Sequence, residues 1–297
     1  MRKLVLLAVS ALAIASAGTA GLWLWPIGAQ PPESLAMLAG DANRGAYLAR
    51  MSGCIACHTD SENGGAPLAG GLALDTKFGT FHSPNLTMDG GEGIGAWSIE
   101  DFAKAVRQGV SPDGEPYYPA FPYPFYSKFS DQDIADLWAA FQTVPANPEP
   151  NQDHVLGFPY NLRFGLKAWR TAFLDMSGFE ADPEKSDTWN RGKFIVTGPA
   201  HCGACHTPRN FAGAREAEEF LHGAQDLPGG GKSPPITTAA LTENGWTIPD
   251  LSYALKTGIL PDGDVFGGTM AEVVRDGTGF LTDEDLTAIS IYLLDQE

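Results

Sequence analysis

The 297-residue sequence is short of basic residues. Its 19 Lys and Arg face 36 Asp and Glu, for a formal net charge of −17. A surface of that sign repels phosphate backbones, which excludes nucleic acid as a partner. Cysteine is also scarce: four residues are too few to hold a chain of this length with a disulfide framework. Strand signals are sparse. Glycine and proline are plentiful, with 35 and 22 residues, which favours compact, loop-rich domains over long helical bundles. Hydrophobic residues make up 43% of the chain, enough to bury real cores, and the length suits about two domains.

Arg2 and Lys3 precede an apolar stretch from Leu4 to Ile27, interrupted only by small residues and by Pro26. A positive n-region followed by an h-region marks export from the cytoplasm. Two fates are open for it. Ala15-Ser16-Ala17 or Gly18-Thr19-Ala20 offers a small-residue cleavage site. Left uncleaved, the stretch is long enough to cross a bilayer, and Leu22-Trp23-Leu24-Trp25 has the makeup of an interfacial aromatic belt. A cleaved product would begin with exposed tryptophans, so the anchor is the favoured reading. Residues 1–29 are therefore expected to be a signal peptide or membrane anchor, which places the rest of the chain in the periplasm, tethered to the inner membrane. Pro31 and Pro32 follow in a polar tether.

Two stretches repeat each other. Ala96-Trp97-Ser98-Ile99-Glu100-Asp101 matches Gly245-Trp246-Thr247-Ile248-Pro249-Asp250. The same offset carries Gly109-Val110-Ser111-Pro112-Asp113-Gly114 onto Gly258-Ile259-Leu260-Pro261-Asp262-Gly263. Ser83-Pro84-Asn85-Leu86-Thr87 pairs with Ser233-Pro234-Pro235-Ile236-Thr237, and Arg44-Gly45 with Arg191-Gly192. Two copies imply a pair of related domains, not a solenoid. The expected boundaries are 30–150 and 186–297, with 151–185 as an inter-domain connector. Each copy reads as helical. Asp41 to Met51 is a helical pattern ending at Gly53. Ser98 to Gln108 carries Ile99, Phe102, Ala105 and Val106 on one face, with Ser98 and Asp101 as an acidic variant of the capping box. Ser130 caps Asp131 to Thr143. Thr247 to Thr257 and Thr282 to Leu294 are their counterparts. Asn161 to Leu174 is a basic, aromatic helix in the connector, read as packed between the domains in preference to docking a partner.

All four cysteines fall in two copies of one pattern, Cys54-Ile55-Ala56-Cys57-His58 and Cys202-Gly203-Ala204-Cys205-His206. Cys-x-x-Cys-His is the attachment signature of c-type haem. Each thiol adds to one vinyl group, and the adjoining histidine comes under the iron. A thioredoxin-type redox pair would need a βαβ context that the sequence lacks. Two pairs could form a zinc site, but an exported chain with a histidine after both pairs fits that poorly. Two covalently bound haems are expected, with Cys54, Cys57, Cys202 and Cys205 as attachment points and His58 and His206 as iron ligands.

With its haem-binding segment after the first helix, each copy resembles the class I cytochrome c fold. The expected fold class is thus all-α: two tandem domains of that kind with long loops, behind an N-terminal signal or anchor helix. That resemblance implies a distal ligand in the loop before the last helix. In the second copy this loop runs from Leu260 to Leu281, and its methionine is Met270. A thioether opposite histidine raises the haem potential. In the first copy the repeat offset takes Met270 to Phe121, which cannot coordinate iron. His82 and Met88, flanking Pro84-Asn85-Leu86-Thr87, are the nearest candidates, and an open position is the third reading. His154, His201 and His222 carry no positional signal.

More widely, Gly70-Gly71, Phe78-Gly79-Thr80, Ser83-Pro84-Asn85-Leu86-Thr87, Gly93-Ile94-Gly95, Trp97-Ser98, Asp101-Phe102 and Tyr118-Pro119-Ala120 resemble the cytochrome c subunits of bacterial membrane-bound periplasmic dehydrogenases. These include the alcohol, gluconate and fructose dehydrogenase types, which usually carry three haems. The resemblance runs from about Gly40 to the C-terminus, and with two haems the chain looks like a shorter branch. In the relatives the Phe121 position is usually Met; Met270, within Gly267-Gly268-Thr269-Met270, matches their pattern. The resemblance implies electron transfer from a periplasmic dehydrogenase or other redox protein toward quinone or a terminal oxidase. The other function class is a haem enzyme, peroxidase-like or binding a small ligand at an open first haem.

Overall fold

A computed structural model describes residues 27–296 of the chain. The expected anchor lies almost wholly outside them; among the described residues, no helix is long and apolar enough to cross a membrane.

The first half starts with α1 (Ala42–Met51), capped by the Asp41 carboxylate on the amides of Asn43 and Arg44. A left-handed Gly53, φ 71°, then turns the chain into the single turn α2 (Cys54–Cys57). Strands β1 (Ala73–Thr76) and β2 (Gly79–His82) form a hairpin, with Leu74 opposite Phe81. Helix α3 (Ile99–Gln108) carries the full Ser98/Asp101 capping box and ends on a left-handed Gly109. The short α4 (Tyr123–Tyr126) leads to α5 (Asp131–Phe141), which has a second box, Ser130/Asp133. After it, β3 (Val155–Leu156) pairs with β2, and α6 (Phe164–Phe173) leads toward the second half.

The second half repeats the plan with α7 (Asp187–Thr197), α8 (Gly203–His206), α9 (Thr238–Glu243), α10 (Ile248–Thr257), α11 (Gly268–Asp276) and α12 (Asp283–Leu294). Ser186, Thr237, Thr247 and Thr282 cap their helices through the side-chain oxygen, satisfying amides that the first turn leaves free.

The same crossing organises each half. In the first, α1 packs on α5 at Gly45, where an added Cβ would lie 1.8 Å from the Asp136 carbonyl oxygen. In the second, α7 packs on α12 at Gly192, where a Cβ would lie 2.0 Å from the carbonyl oxygen of Ala288. Only glycine lets backbones approach so closely. Beside each glycine an arginine forks onto a mostly buried aspartate: Arg44 onto Asp136 at 2.7 and 2.9 Å, and Arg191 onto Asp285 at 2.7 Å through both arms. Trp189 stacks edge-on to Tyr292 over the second crossing, and Phe102 meets Phe141 in the first half.

Two expectations change. The fold is mostly helical but not all-α, since a three-stranded antiparallel sheet stands in the first half. Its strands are too short for period-two alternation to show, and what holds them is the hairpin and the burial of Phe81 against the rings of Tyr118 and His154. The stretch from Leu260 to Leu281, read as loop, is largely the helix α11 followed by the turn Thr278–Phe280. Its entry through Gly267 and Gly268 hid the helix.

Candidate functional site

Each Cys-x-x-Cys-His segment forms one helical turn directly after the first long helix of its half. Among the four cysteines no disulfide forms. Burial pushes the thiols of Cys54 and Cys202 up to about 12, the opposite of the thiolate that a thioredoxin-type pair requires.

The histidines are held in the same way in both halves. His58 Nδ1 lies 2.8 Å from the Pro84 carbonyl oxygen, and His206 Nδ1 lies 2.8 Å from that of Pro234. A carbonyl can only accept, so Nδ1 carries the proton and Nε2 keeps its lone pair for a metal. Burial lowers both pKa values, against the opposing pull of the proline carbonyls, and favours neutral rings.

The loops behind the histidines repeat in detail. Gly70 donates its amide to the His58 carbonyl and Gly223 to that of His206, both at 2.8 Å. A Cβ on either glycine would come within 3 Å of the Pro84 or Pro234 backbone. Just before them, Leu68 and Leu221 both take a left-handed backbone, φ 62° and 64°. A bulky residue rarely adopts this conformation. Its recurrence ties it to the proline segment that anchors the histidine, because Leu86 and Ile236 donate amide bonds back to these two leucine carbonyls.

In the first half, Cys54, Cys57 and His58 lie on the wall of a cavity of about 320 Å³, a size expected of a ligand pocket. Ile94, Trp97, Phe102, Leu137 and Phe141 supply apolar walls, and Phe121 lines it as well. Among the described residues, no group of three or more His, Cys, Asp or Glu could cage a bare ion. A group that brings its own in-plane donors, needing only two sulfur attachments, one imidazole and apolar cover, fits this donor set; haem is such a group.

Of the two candidates for the first distal position, the structure brings one to the cavity. His82 lines it, with Nδ1 2.9 Å from the Asp153 carbonyl oxygen and its backbone amide donating to His154 Nδ1. Met88 packs against the hydrophobic core instead and is not among the lining residues. The sequence reading also missed lining residues. His154 and Arg163 arrive from the connector, and His201 comes from the second half. His201 carries no sequence signal; it stands directly before Cys202, and only the fold brings it to the cavity of the other half. In the second half Met270 is the third residue of α11 and is half-buried.

Residues 42–141 match the family described as cytochrome c. Over 283 residues the chain is 41% identical to a dihaem cytochrome c-type protein of Cereibacter sphaeroides, covering 93% of both chains. It is 39% identical to the gluconate 2-dehydrogenase cytochrome c subunit of Pantoea cypripedii over 276 residues, 88% of this chain and 62% of that one. It is also 39% identical to the fructose dehydrogenase cytochrome subunit of Gluconobacter japonicus, 84% of this chain and 51% of the relative. The chain thus spans little more than half the length of these dehydrogenase subunits. With two haem-binding Cys-x-x-Cys motifs and 41% identity to a dihaem relative over nearly the full length of both chains, it belongs to the dihaem c-type cytochromes, homologous to the cytochrome c subunits of these dehydrogenases.

Proposed function

We propose that the chain is a periplasmic electron carrier, tethered to the inner membrane by its N-terminus, that receives electrons from a dehydrogenase partner and passes them toward quinone or a terminal oxidase. The observation that supports it most directly is the matched pair of histidines, each with Nδ1 2.8 Å from a proline carbonyl oxygen and Nε2 left for iron. Haem supplies the one-electron chemistry when bound. The protein contributes attachment through Cys54, Cys57, Cys202 and Cys205, ligation through His58 and His206, and an apolar enclosure that keeps water from the metal. Met270 is the proposed second ligand in the 186–297 domain, and 30–150 is the other domain, joined through 151–185. The acidic surface, with a net charge of −17, suits a basic docking face and a salt-sensitive association. Exported, matured protein is expected to carry the mass of two haems and to take up two electrons in a redox titration. Reduction by a membrane dehydrogenase, weakening as ionic strength rises, tests the partner class; a bare polypeptide mass would refute the assignment.

A second reading is favoured by one observation. Phe121 lines the first cavity, and the repeat offset aligns it with Met270; an iron held by His58 would then have an open position there, or one served by His82. Carbon monoxide binding to the reduced protein, with a high-spin band when oxidised, would support small-ligand chemistry there. Two low-spin haems inert to carbon monoxide would leave electron transfer alone.

A further inference from the structure

The two attachment motifs meet at one point. Gly53 stands immediately before Cys54, and His201 stands immediately before Cys202. A Cβ placed on Gly53 would lie 3.7 Å from His201 Cε1, so the imidazole from the second half rests against the turn that opens the first motif. The same ring lines the first cavity, beside Ser52, Gly53, Cys54 and Tyr126. It sits 6.0 Å, centre to centre, from both Phe125 and Tyr126, edge-on to the latter. Tyr126 is itself pinned by its hydroxyl to the Ser52 carbonyl oxygen at 2.5 Å.

His201 is held firmly. Its φ is 40°, a left-handed conformation uncommon for a side-chain-bearing residue. Three bonds fix it: its amide to the Gly198 carbonyl at 2.9 Å, Nδ1 to the Pro199 carbonyl oxygen at 2.8 Å, and the Ala204 amide to its own carbonyl at 2.7 Å. A strained residue persists only where its surroundings over-determine it. The corresponding residue in the first half is Gly53, whose left-handed turn, φ 71°, lies beside the imidazole.

We infer that His201 is the contact through which electrons pass between the two haem sites. The inference rests on the dihaem electron-transfer reading above. The covalent path is short on both sides. His201 is peptide-bonded to Cys202, whose sulfur is one attachment point. Its ring lies beside Gly53 on the wall of the first cavity, and Gly53 is peptide-bonded to Cys54, an attachment point of the other site. In the step one electron leaves a ferrous centre in one half and reduces a ferric centre in the other. No bond forms or breaks and no proton is required. The imidazole serves as packed, rigid matter across the junction and is a positioning residue: it ligates neither iron.

The test uses the full dihaem protein and two substitutions that remove the ring, His201→Asn, which tolerates a left-handed backbone, and His201→Gln. Haem mass, the absorption spectrum and both midpoint potentials are recorded first. A single electron is then injected by pulse radiolysis, and its redistribution between the haems is followed in the visible bands. The expected result is two haems, unchanged spin states, and a redistribution phase slowed relative to the parent at the driving force that the measured potentials give. Redistribution as fast as in the parent would overturn the inference. So would conversion of the first haem to a high-spin form, since His201 would then be a ligand. Failure of the underlying dihaem reading looks different: the unsubstituted protein itself would lack two haems or show no redistribution.

Discussion

Tyr47 donates its hydroxyl proton to Asp285 Oδ2 at 2.7 Å, joining α1 of the first half to α12 of the second. The same hydroxyl accepts the Thr282 amide at 3.1 Å. Asp285 already takes the Arg191 fork, so one carboxylate serves both the crossing within its half and the joint between halves. Tyr47→Phe is expected to cost about 1 kcal/mol, read as a lower urea midpoint at unchanged slope.

The joint is also expected to be acid-labile. Burial pushes the Asp285 pKa up, but the Arg191 and Tyr47 hydrogen bonds and the Arg191 charge together outweigh it, and the net value lies below the ordinary range. A depressed folded pKa gives stability that is present above the unfolded value, about 3.9, and is lost as pH falls through the lower folded one. Asp285→Asn should lower stability at neutral pH and flatten its fall on the acid side; chemical unfolding from pH 7 down to about pH 3 measures both.

The glycine at each helix crossing leaves no room for a methyl group. Gly192→Ala is expected to destabilise by about 1–3 kcal/mol, because the obstacle is the Ala288 backbone and not a movable side chain. Thermal unfolding of the haem-loaded protein reads the shift. Gly45→Ala, facing the Asp136 backbone, should behave alike.

Met270→Ala is expected to lower one midpoint potential substantially and leave the other nearly fixed, since a thioether opposite histidine raises the potential. A spectroscopic redox titration checks it. If both values stay in place, the ligand assignment fails.

Phe121→Met is the converse experiment. A thioether placed on the cavity wall of the first half should raise that haem's potential and abolish any carbon monoxide adduct there. An unchanged potential and spectrum would show that residue 121 does not reach the iron.

Much of this was legible in the sequence because it is local. Ser98 with Asp101 announces its helix as a capping box and Ser130 announces the next as an N-cap; both form, and the structure adds Asp133 to make the second a box as well. The Cys-x-x-Cys-His segments name their cofactor by spacing alone, and the repeat marked the segments around Pro84 and Pro234, whose carbonyls the structure shows holding each histidine. What stayed hidden depends on parts of the chain far apart in sequence. Asp136 and Asp285 look like ordinary helical acids until the crossings bring Arg44 and Arg191 to them. His201 reads as one unremarked histidine until the halves close and set it against Gly53. The hairpin of β1 and β2 escaped because four-residue strands are shorter than the pattern needed to detect them.

The paired left-handed leucines, Leu68 and Leu221, make the molecule its own control. Two versions of one unusual turn sit in a single polypeptide and share one solvent and one maturation history. Replacing either leucine leaves its twin as an internal reference. Whatever that turn contributes to holding an imidazole can therefore be measured as a difference inside one sample.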